Sequence, residues 1–258
     1  MLRTDSGLKY FSGGQGMEAV ICHPSLGLGR FLFYRMLPSL SRRYRVFTYD
    51  PRGIGDNEAL DPSLSAWVED VGQLMEIADC PCHLIGVSLG TWVMSRAAVA
   101  WPDRMGRLVL MGATREFEDG VQQVQARRQE LSQTPGSMED FARRYADSTL
   151  ADFVDGELKE QLIVDMTTCD PQRYLSAMAE IYLTSNAAVF PRIKVPTLIV
   201  VGTRDTRTSP ADADAAASLI PKSQVRVVPD AGHLALLDQP RRIQDLVEAF
   251  LATGELDV

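Results

Sequence analysis

Apolar positions recur with two different periods along this chain, and the changes of period mark out its elements. Residues 82–87 form an apolar run around His83, and residues 108–113 and 195–202 form two more. Short apolar runs bounded by Gly and Pro predict buried strands. Elsewhere apolar residues return every three or four positions. Leu64, Trp67, Val68, Val71, Leu74, Met75 and Ala78 fall on one stripe over residues 63–78, and Ile243, Leu246, Val247, Phe250 and Leu251 fall on another near the C-terminus. That spacing predicts amphipathic helices.

The rest of the chain fills in around these. Residues 8–12 and 17–22 predict two short strands, with Gly13-Gly14-Gln15-Gly16 joining them as a hairpin. Residues 30–40 predict a helix with Phe33, Leu37 and Leu40 on one face. Residues 44–49 predict a strand that ends in the turn-rich Asp50-Pro51-Arg52-Gly53-Ile54-Gly55-Asp56-Asn57. A helix follows residue 90 and stops at Pro102, while 212–219 and 224–228 predict a late helix and strand. Strands alternating with helices argue for βαβ units, hence an α/β protein with a mostly parallel sheet flanked by helices.

Between residues 114 and 190 the alternation stops. Four polar, amphipathic helices are predicted instead, over 116–133, 138–149, 153–166 and 171–183. Pro135-Gly136 separates the first two, Ser137-x-x-Asp140 resembles a capping box, and Asp170-Pro171 reads as an N-cap followed by proline at the first helical position. Residues 1–113 and 191–258 are therefore expected to form the core, and 114–190 an all-helical cap inserted over the C-terminal edge of the sheet. A helical spacer packed elsewhere is the alternative.

Composition narrows the partners. With 258 residues, 45% apolar and 23% charged, the chain is an ordinary globular protein able to bury one large core. A net charge of −8 leaves no basic footprint for nucleic acid or an anionic membrane surface. The first residues lack the apolar segment of a secretory signal, and no apolar run approaches the ~18 residues of a membrane helix, so a cytoplasmic protein with no membrane partner is expected. Cys22, Cys80, Cys82 and Cys169 match neither a disulfide scaffold nor a zinc spacing, and Cys80-Pro81-Cys82 reads as a strand entry.

The candidate chemistry starts at Gly86-Val87-Ser88-Leu89-Gly90, directly after the 82–87 strand and before a helix. A serine on a sharp, strained strand-to-helix turn needs neighbours without a Cβ two residues before and two after it. Its hydroxyl needs a base, and the base an orienting carboxylate. Of three histidines, His83 lies inside the strand feeding the turn. His23 ends a strand in a glycine-rich loop and stays possible, and His233, in the loop after the 224–228 strand, lies at the right end of the sheet. Asp205, three residues past Gly202, is the first choice for the carboxylate because functional loops gather beyond the C-terminal ends of parallel strands. Asp230 is second, and Glu116 or Glu118 third.

These residues carry a resemblance. Gly86-x-Ser88-x-Gly90, Asp50-x-Arg52-Gly53-x-Gly55, the run from Val195 through Gly202 to Asp205, and Ala231-Gly232-His233 are similar, in this order, to the motifs of α/β-hydrolases over nearly the whole chain. The resemblance implies the α/β-hydrolase fold with Ser88 as nucleophile, Asp205 as acid and His233 as base, and a structural role for Arg52. Members usually read His-Gly in the oxyanion loop; here it is His23-Pro24-Ser25-Leu26-Gly27, and proline has no N–H to donate. The oxyanion hole is then expected from the backbone N–H groups of Leu89 and Ser25, or failing that Leu26. Asn57 stands where many members have serine.

The Ser25-Leu26-Gly27 triplet resembles that of 3-oxoadipate enol-lactonases and their esterase relatives. The expected function is a serine hydrolase cleaving a small carboxylic ester or lactone through an acyl-enzyme, with no metal or organic cofactor. A serine nucleophile argues against the aspartate-ester chemistry of dehalogenases and epoxide hydrolases on this fold. A thioesterase, acyltransferase or perhydrolase using the same triad is one alternative, and a ligand-binding, receptor-like protein with little turnover is another. Tyr145, Met166, Tyr174, Met178 and Tyr182 are candidates to line the substrate pocket, or else internal packing of the cap. Arg115, directly after a strand end, is a candidate for meeting a substrate carboxylate, or else a solvated arginine at the cap entrance.

Overall fold

Buried apolar runs assemble an eight-stranded sheet in the computed structural model, which describes residues 1–133, 138–151 and 153–256. The strands are β1 (Leu2–Arg3), β2 (Lys9–Gly13), β3 (Ala19–His23), β4 (Arg45–Thr48), β5 (Cys82–Val87), β6 (Met105–Met111), β7 (Thr197–Gly202) and β8 (Ser223–Val228). Their spatial order is β1-β2-β4-β3-β5-β6-β7-β8, antiparallel at the β1-β2-β4 edge and parallel from β4 onward. β3, β5 and β7 are buried along their whole length, as strands covered by helices on both faces must be.

The hairpin expected from residues 8–22 does not form, because β4 lies between β2 and β3. A Cβ on Gly14 would stand 2.1 Å from the Tyr44 carbonyl oxygen, and one on Gly16 2.1 Å from that of Arg43. The glycines let one backbone cross closely over another at the entrance of β4, rather than making a tight turn. The helix expected over residues 30–40 is also broken, into a 3₁₀ turn at Arg30–Phe33 and a short α1 (Leu37–Leu40). Pro38 explains the break, since a continuous helix would lose its N–H bond and force its ring against the Tyr34 carbonyl.

The helices flanking the sheet are α2 (Leu64–Ala78), α3 (Leu89–Ala100), α8 (Pro210–Ala217), α9 (Ala235–Asp238) and α10 (Pro240–Thr253). In α2 the Ser63 hydroxyl caps the N-terminus by accepting from the Ala66 N–H, and Trp67, Val71, Leu74, Met75 and Ala78 form the buried stripe. Asp70, on the same helix, accepts a two-pronged bond from Arg52, Nε to Oδ2 and Nη2 to Oδ1, both 2.7 Å. Arg52 thus ties the turn after β4 to α2. Asn57 ties the same turn to strand β2. Its amide exchanges bonds with the Lys9 backbone at 2.8 and 2.9 Å and donates to the Asp50 carbonyl at 2.6 Å.

Between β6 and β7 stand α4 (Gly120–Gln133), α5 (Met138–Thr149), α6 (Gly156–Thr167) and α7 (Pro171–Tyr182). Asp170 caps α7 by accepting from the Gln172 and Arg173 N–H groups, ahead of Pro171 at its first position. The Pro135-Gly136 break and the Ser137 capping box lie outside the described residues. Asn186 closes the base of this helical block: its N–H donates to the Arg115 carbonyl (2.8 Å), its Nδ2 to that of Thr114 (3.2 Å), and its Oδ1 accepts from Arg96 (2.6 Å). No helix among the described residues is long and apolar enough to cross a membrane.

One contact between block and core carries a pH dependence. Asp165 on α6 accepts from the Gly29 N–H at 2.7 Å, and Asp50 stands beside it against the same face of Gly29. Burial pushes the Asp165 carboxyl up to about 6; the Gly29 amide pulls against burial, and Asp50 adds to it. A carboxyl whose folded pKa exceeds its unfolded value of about 4 favours the fold when protonated. Stability from this group is therefore present at low pH and is lost as pH rises through that window. Asp165→Asn is expected to gain on the wild type between pH 4 and 7, by on the order of 2 to 3 kcal/mol at most. Urea denaturation at both pH values measures it, and a difference that stays constant with pH would count against the assignment.

Candidate active site

Four loops, after β3, β5, β7 and β8, converge at the C-terminal ends of the parallel strands. Ser88 follows β5 and is the residue from which α3 starts, at φ 53° and ψ −111°. A non-glycine residue there is strained by roughly 1 to 3 kcal/mol. Ser88 is held by its N–H donating to the Met111 carbonyl (2.8 Å), and by its own carbonyl accepting from the Thr91 N–H (2.8 Å) and hydroxyl (2.7 Å). The two glycines of the turn have separate reasons. A Cβ on Gly86 would stand 2.4 Å from the Gly90 carbonyl oxygen, and one on Gly90 would stand 2.3 Å from that of His23. The turn is closed on itself and pressed against the β3 loop.

That second contact brings Ser25 beside the elbow. Among the described residues the backbone N–H groups of Ser25 and Leu89 donate to no protein acceptor, and Leu89 opens α3. Both residues are buried, which leaves two backbone donors near Ser88 without a protein partner, one of them at the positive end of a helix. The Ser25 hydroxyl meets the Tyr145 hydroxyl at 3.3 Å.

Asp205 and His233 come from the loops after β7 and β8. His233 Nδ1 lies 2.9 Å from Asp205 Oδ2 and 3.1 Å from Oδ1. Asp205 also accepts from the Arg207 N–H (2.8 Å), the Thr208 N–H (2.9 Å) and the Thr208 hydroxyl (2.8 Å). Burial alone would raise its pKa; the bond and charge of His233, with the Thr208 donors, outweigh it and hold the carboxyl below its usual range. A proton on Nδ1 satisfies this carboxylate and leaves Nε2 as the acceptor. Ser88 and His233 line one narrow cavity, with Ser25, Tyr145, Tyr174, Tyr182 and Arg207. No hydrogen bond joins Ser88 to His233 among the described residues, as is common before a substrate closes such a site.

Three residues that the sequence did not single out support this geometry. Asp238, at the end of α9, accepts from the Gly232 N–H at 2.6 Å and from the Ala151 N–H at 3.0 Å, while the His233 N–H donates to the Thr149 carbonyl at 3.1 Å. The histidine loop is thereby pinned to the helical block. The available signal was an aspartate closing the apolar run 234–237. Thr208 was signalled only by its spacing from Asp205. Arg207 was signalled by nothing local.

The other candidates fall elsewhere. His83 is buried at the start of β5, 3.6 Å from Glu18, and burial lowers its pKa with Glu18 opposing. His23 is turned into the core: Nδ1 contacts the Pro24 carbonyl at 3.1 Å, the ring stands edge-on to Tyr49 and Trp67, and burial lowers its pKa to about 4. Asp230 is exposed and paired with Arg204 at 2.8 Å. Among the pocket candidates Tyr145, Tyr174 and Tyr182 line the cavity, whereas Met166 and Met178 are buried in the apolar core and are not part of its lining. Arg115 is exposed, paired with Glu116 at 2.8 Å, and borders a separate cleft. Glu118 borders the same cleft. Among the described residues no group of three or more His, Cys, Asp or Glu side chains is placed to hold a metal ion.

Comparison with known proteins agrees with this architecture. The model of the alpha/beta hydrolase family matches residues 19–246. The chain is similar to the polyketide synthase ThaQ of Burkholderia thailandensis, 28% identical over 256 residues; the match covers 93% of this chain and 12% of that much longer protein. It is similar end to end to 3-oxoadipate enol-lactonase 1 of Acinetobacter baylyi, 23% identical over 246 residues, 93% of this chain and 91% of the relative. A crystal structure of a hydrolase from Pseudomonas aeruginosa PA01 superimposes with a TM-score of 0.88 at 25% identity, covering 98% of this chain and 97% of that one.

Proposed function

The chain belongs to the alpha/beta hydrolase family, and from that premise we propose that it is a serine hydrolase cleaving a carboxylic ester or lactone of a compact organic substrate. One observation carries the reading: His233, hydrogen-bonded to Asp205, lines the same small cavity as Ser88. In the proposed mechanism His233 Nε2 takes the Ser88 proton as the oxygen attacks the substrate carbonyl, and Asp205 stabilises the imidazolium that forms. The developing oxyanion is received by the Ser25 and Leu89 N–H groups, each donor worth roughly 10²- to 10³-fold in rate. His233 then protonates the departing alcohol, and a water activated by the same nitrogen releases the acid from Ser88. Similarity to an enol-lactonase supports the ester or lactone class.

We further propose residues 114–190 as a cap over a core of residues 1–113 and 191–258, since the cavity's tyrosines come from the helical block and its Ser88 and His233 from the sheet loops. The test is a fluorophosphonate probe together with a panel of short and long acyl esters, lactones and thioesters. Labelling of the wild type, its loss in Ser88→Ala, and turnover of esters or lactones are expected. Labelling that persists in Ser88→Ala would overturn the nucleophile. Clean labelling without turnover of any panel member would shift the reading to a binding protein.

A further inference from the structure

The cavity at Ser88 holds a cation that the proposed chemistry does not use. The Arg207 N–H donates to Asp205, and its side chain leaves the backbone there to line the cavity with Ser88 and His233. The guanidinium carbon stands 4.7 Å from the Tyr145 ring centre, and Nη2 donates to the Ser148 hydroxyl at 3.1 Å. Nε is buried without a hydrogen-bond partner, and no carboxylate among the described residues forms an ion pair with this arginine. On its outer side Arg207 also borders a second cleft with Glu116, Glu118, Asp119 and Asp212; Glu116 is paired with Arg115, and none of the four forms an ion pair with Arg207 among the described residues.

The cavity's remaining polar groups leave that charge unanswered. Tyr174 and Tyr182 bring hydroxyls that burial keeps protonated, and no carboxylate lines the cavity. A part-buried guanidinium beside Ser88, with one buried N–H lacking a protein partner, is a ready counterpart for an anionic group on the ligand. Arginine offers a planar fork that matches a carboxylate, and its charge would also be neutralised just as positive charge develops on the neighbouring His233.

We propose that Arg207 is a specificity-determining residue that selects substrates carrying a carboxylate over neutral esters, a statement that rests on the serine-hydrolase reading above. The arginine acts in both binding and turnover. Seated on the Tyr145 face, the guanidinium holds the substrate anion, and the neutralised pair lowers the penalty of forming an imidazolium beside a fixed positive charge.

The experiment compares kcat/KM for matched esters in the wild type, Arg207→Gln and Arg207→Lys. One pair is p-nitrophenyl valerate with the p-nitrophenyl monoester of glutaric acid; the other is phenyl valerate with 4-carboxyphenyl valerate. In at least one pair the wild type should prefer the carboxylated ester, and Arg207→Gln should reduce that preference roughly 10- to 100-fold. Arg207→Lys should keep an intermediate preference, having the charge without the fork. A purely structural role would lower both members of a pair together and leave the ratio unmoved; that result, or a wild type without preference in either pair, overturns the proposal. If the wild type hydrolyses none of the esters and takes no fluorophosphonate, the serine-hydrolase reading has failed. Calorimetric binding of glutarate then decides Arg207 separately: binding that is lost in Arg207→Gln supports anion selection, and binding that is absent or unchanged overturns it.

Discussion

Alanine at position 233 is expected to lower kcat by roughly 10⁴- to 10⁶-fold, the loss seen when a serine nucleophile is left without its base. Alanine at the other two histidines is expected to leave the rate within an order of magnitude. The difference follows from where each ring stands. His233 keeps one nitrogen on Asp205, 2.9 Å away, and shares the Ser88 cavity. His23 spends Nδ1 on the Pro24 carbonyl, and burial lowers its pKa to about 4, so it stays neutral and enclosed at any ordinary assay pH. His83 packs against Gly106, where a Cβ would stand 2.6 Å from its ring. His83→Ala therefore removes core contacts, and a loss of about 1 to 3 kcal/mol in urea denaturation is expected with little change in kcat. Steady-state kinetics and denaturation of the three variants together settle the assignment. Near-wild-type kcat in His233→Ala would reopen the case for His23.

The elbow strand was legible to the residue, since 82–87 is a mostly apolar run bounded by Pro81 and Ser88, and β5 has those bounds. The start of β6 was not, because Met105-Gly106-Arg107 lacks the run although those residues sit in the sheet. The order of strands was harder still. Gly13 to Gly16 looks like a hairpin turn to any local rule, and only the tertiary position of β4 turns those glycines into a crossing of two backbones. The three motif residues Ser88, Asp205 and His233 could be read from chain order and loop position because each follows the end of a strand. Arg115 satisfied the same rule and lies outside the cavity, where the adjacent Glu116 takes its charge. Arg207 and Asp238 escaped because their partners are far apart in sequence: Tyr145 and Ser148 for one, Ala151 for the other. Periodicity placed Tyr174 and Met178 on one helix, but only packing separates the tyrosine at the cavity from the methionine in the core.

Asp205→Asn tests the division of labour within the pair more finely than any deletion. The asparagine carbonyl can take over the bonds that Oδ1 accepts from the Arg207 and Thr208 N–H groups, so the loop should keep its shape. The amide NH₂ then replaces Oδ2, facing His233 Nδ1 and the Thr208 hydroxyl. A donor in that place drives the ring to accept at Nδ1 and to carry its proton on Nε2, the nitrogen that must be empty to take the Ser88 proton. A fall in kcat of about 10⁴-fold is expected from the wrong tautomer and the lost countercharge. Stability provides a second readout with a definite sign. Burial works to raise the Asp205 pKa, but His233 and Thr208 hold it below the usual range, so this carboxylate stabilises the fold above about pH 4 and its contribution disappears as pH falls through the lowered value. The stability gap between wild type and Asp205→Asn should therefore be wide at pH 7 and should narrow below pH 4. A gap that stays the same at both, with kcat reduced less than tenfold, would mean that Asp205 merely shapes its loop and that the orienting carboxylate must be sought elsewhere.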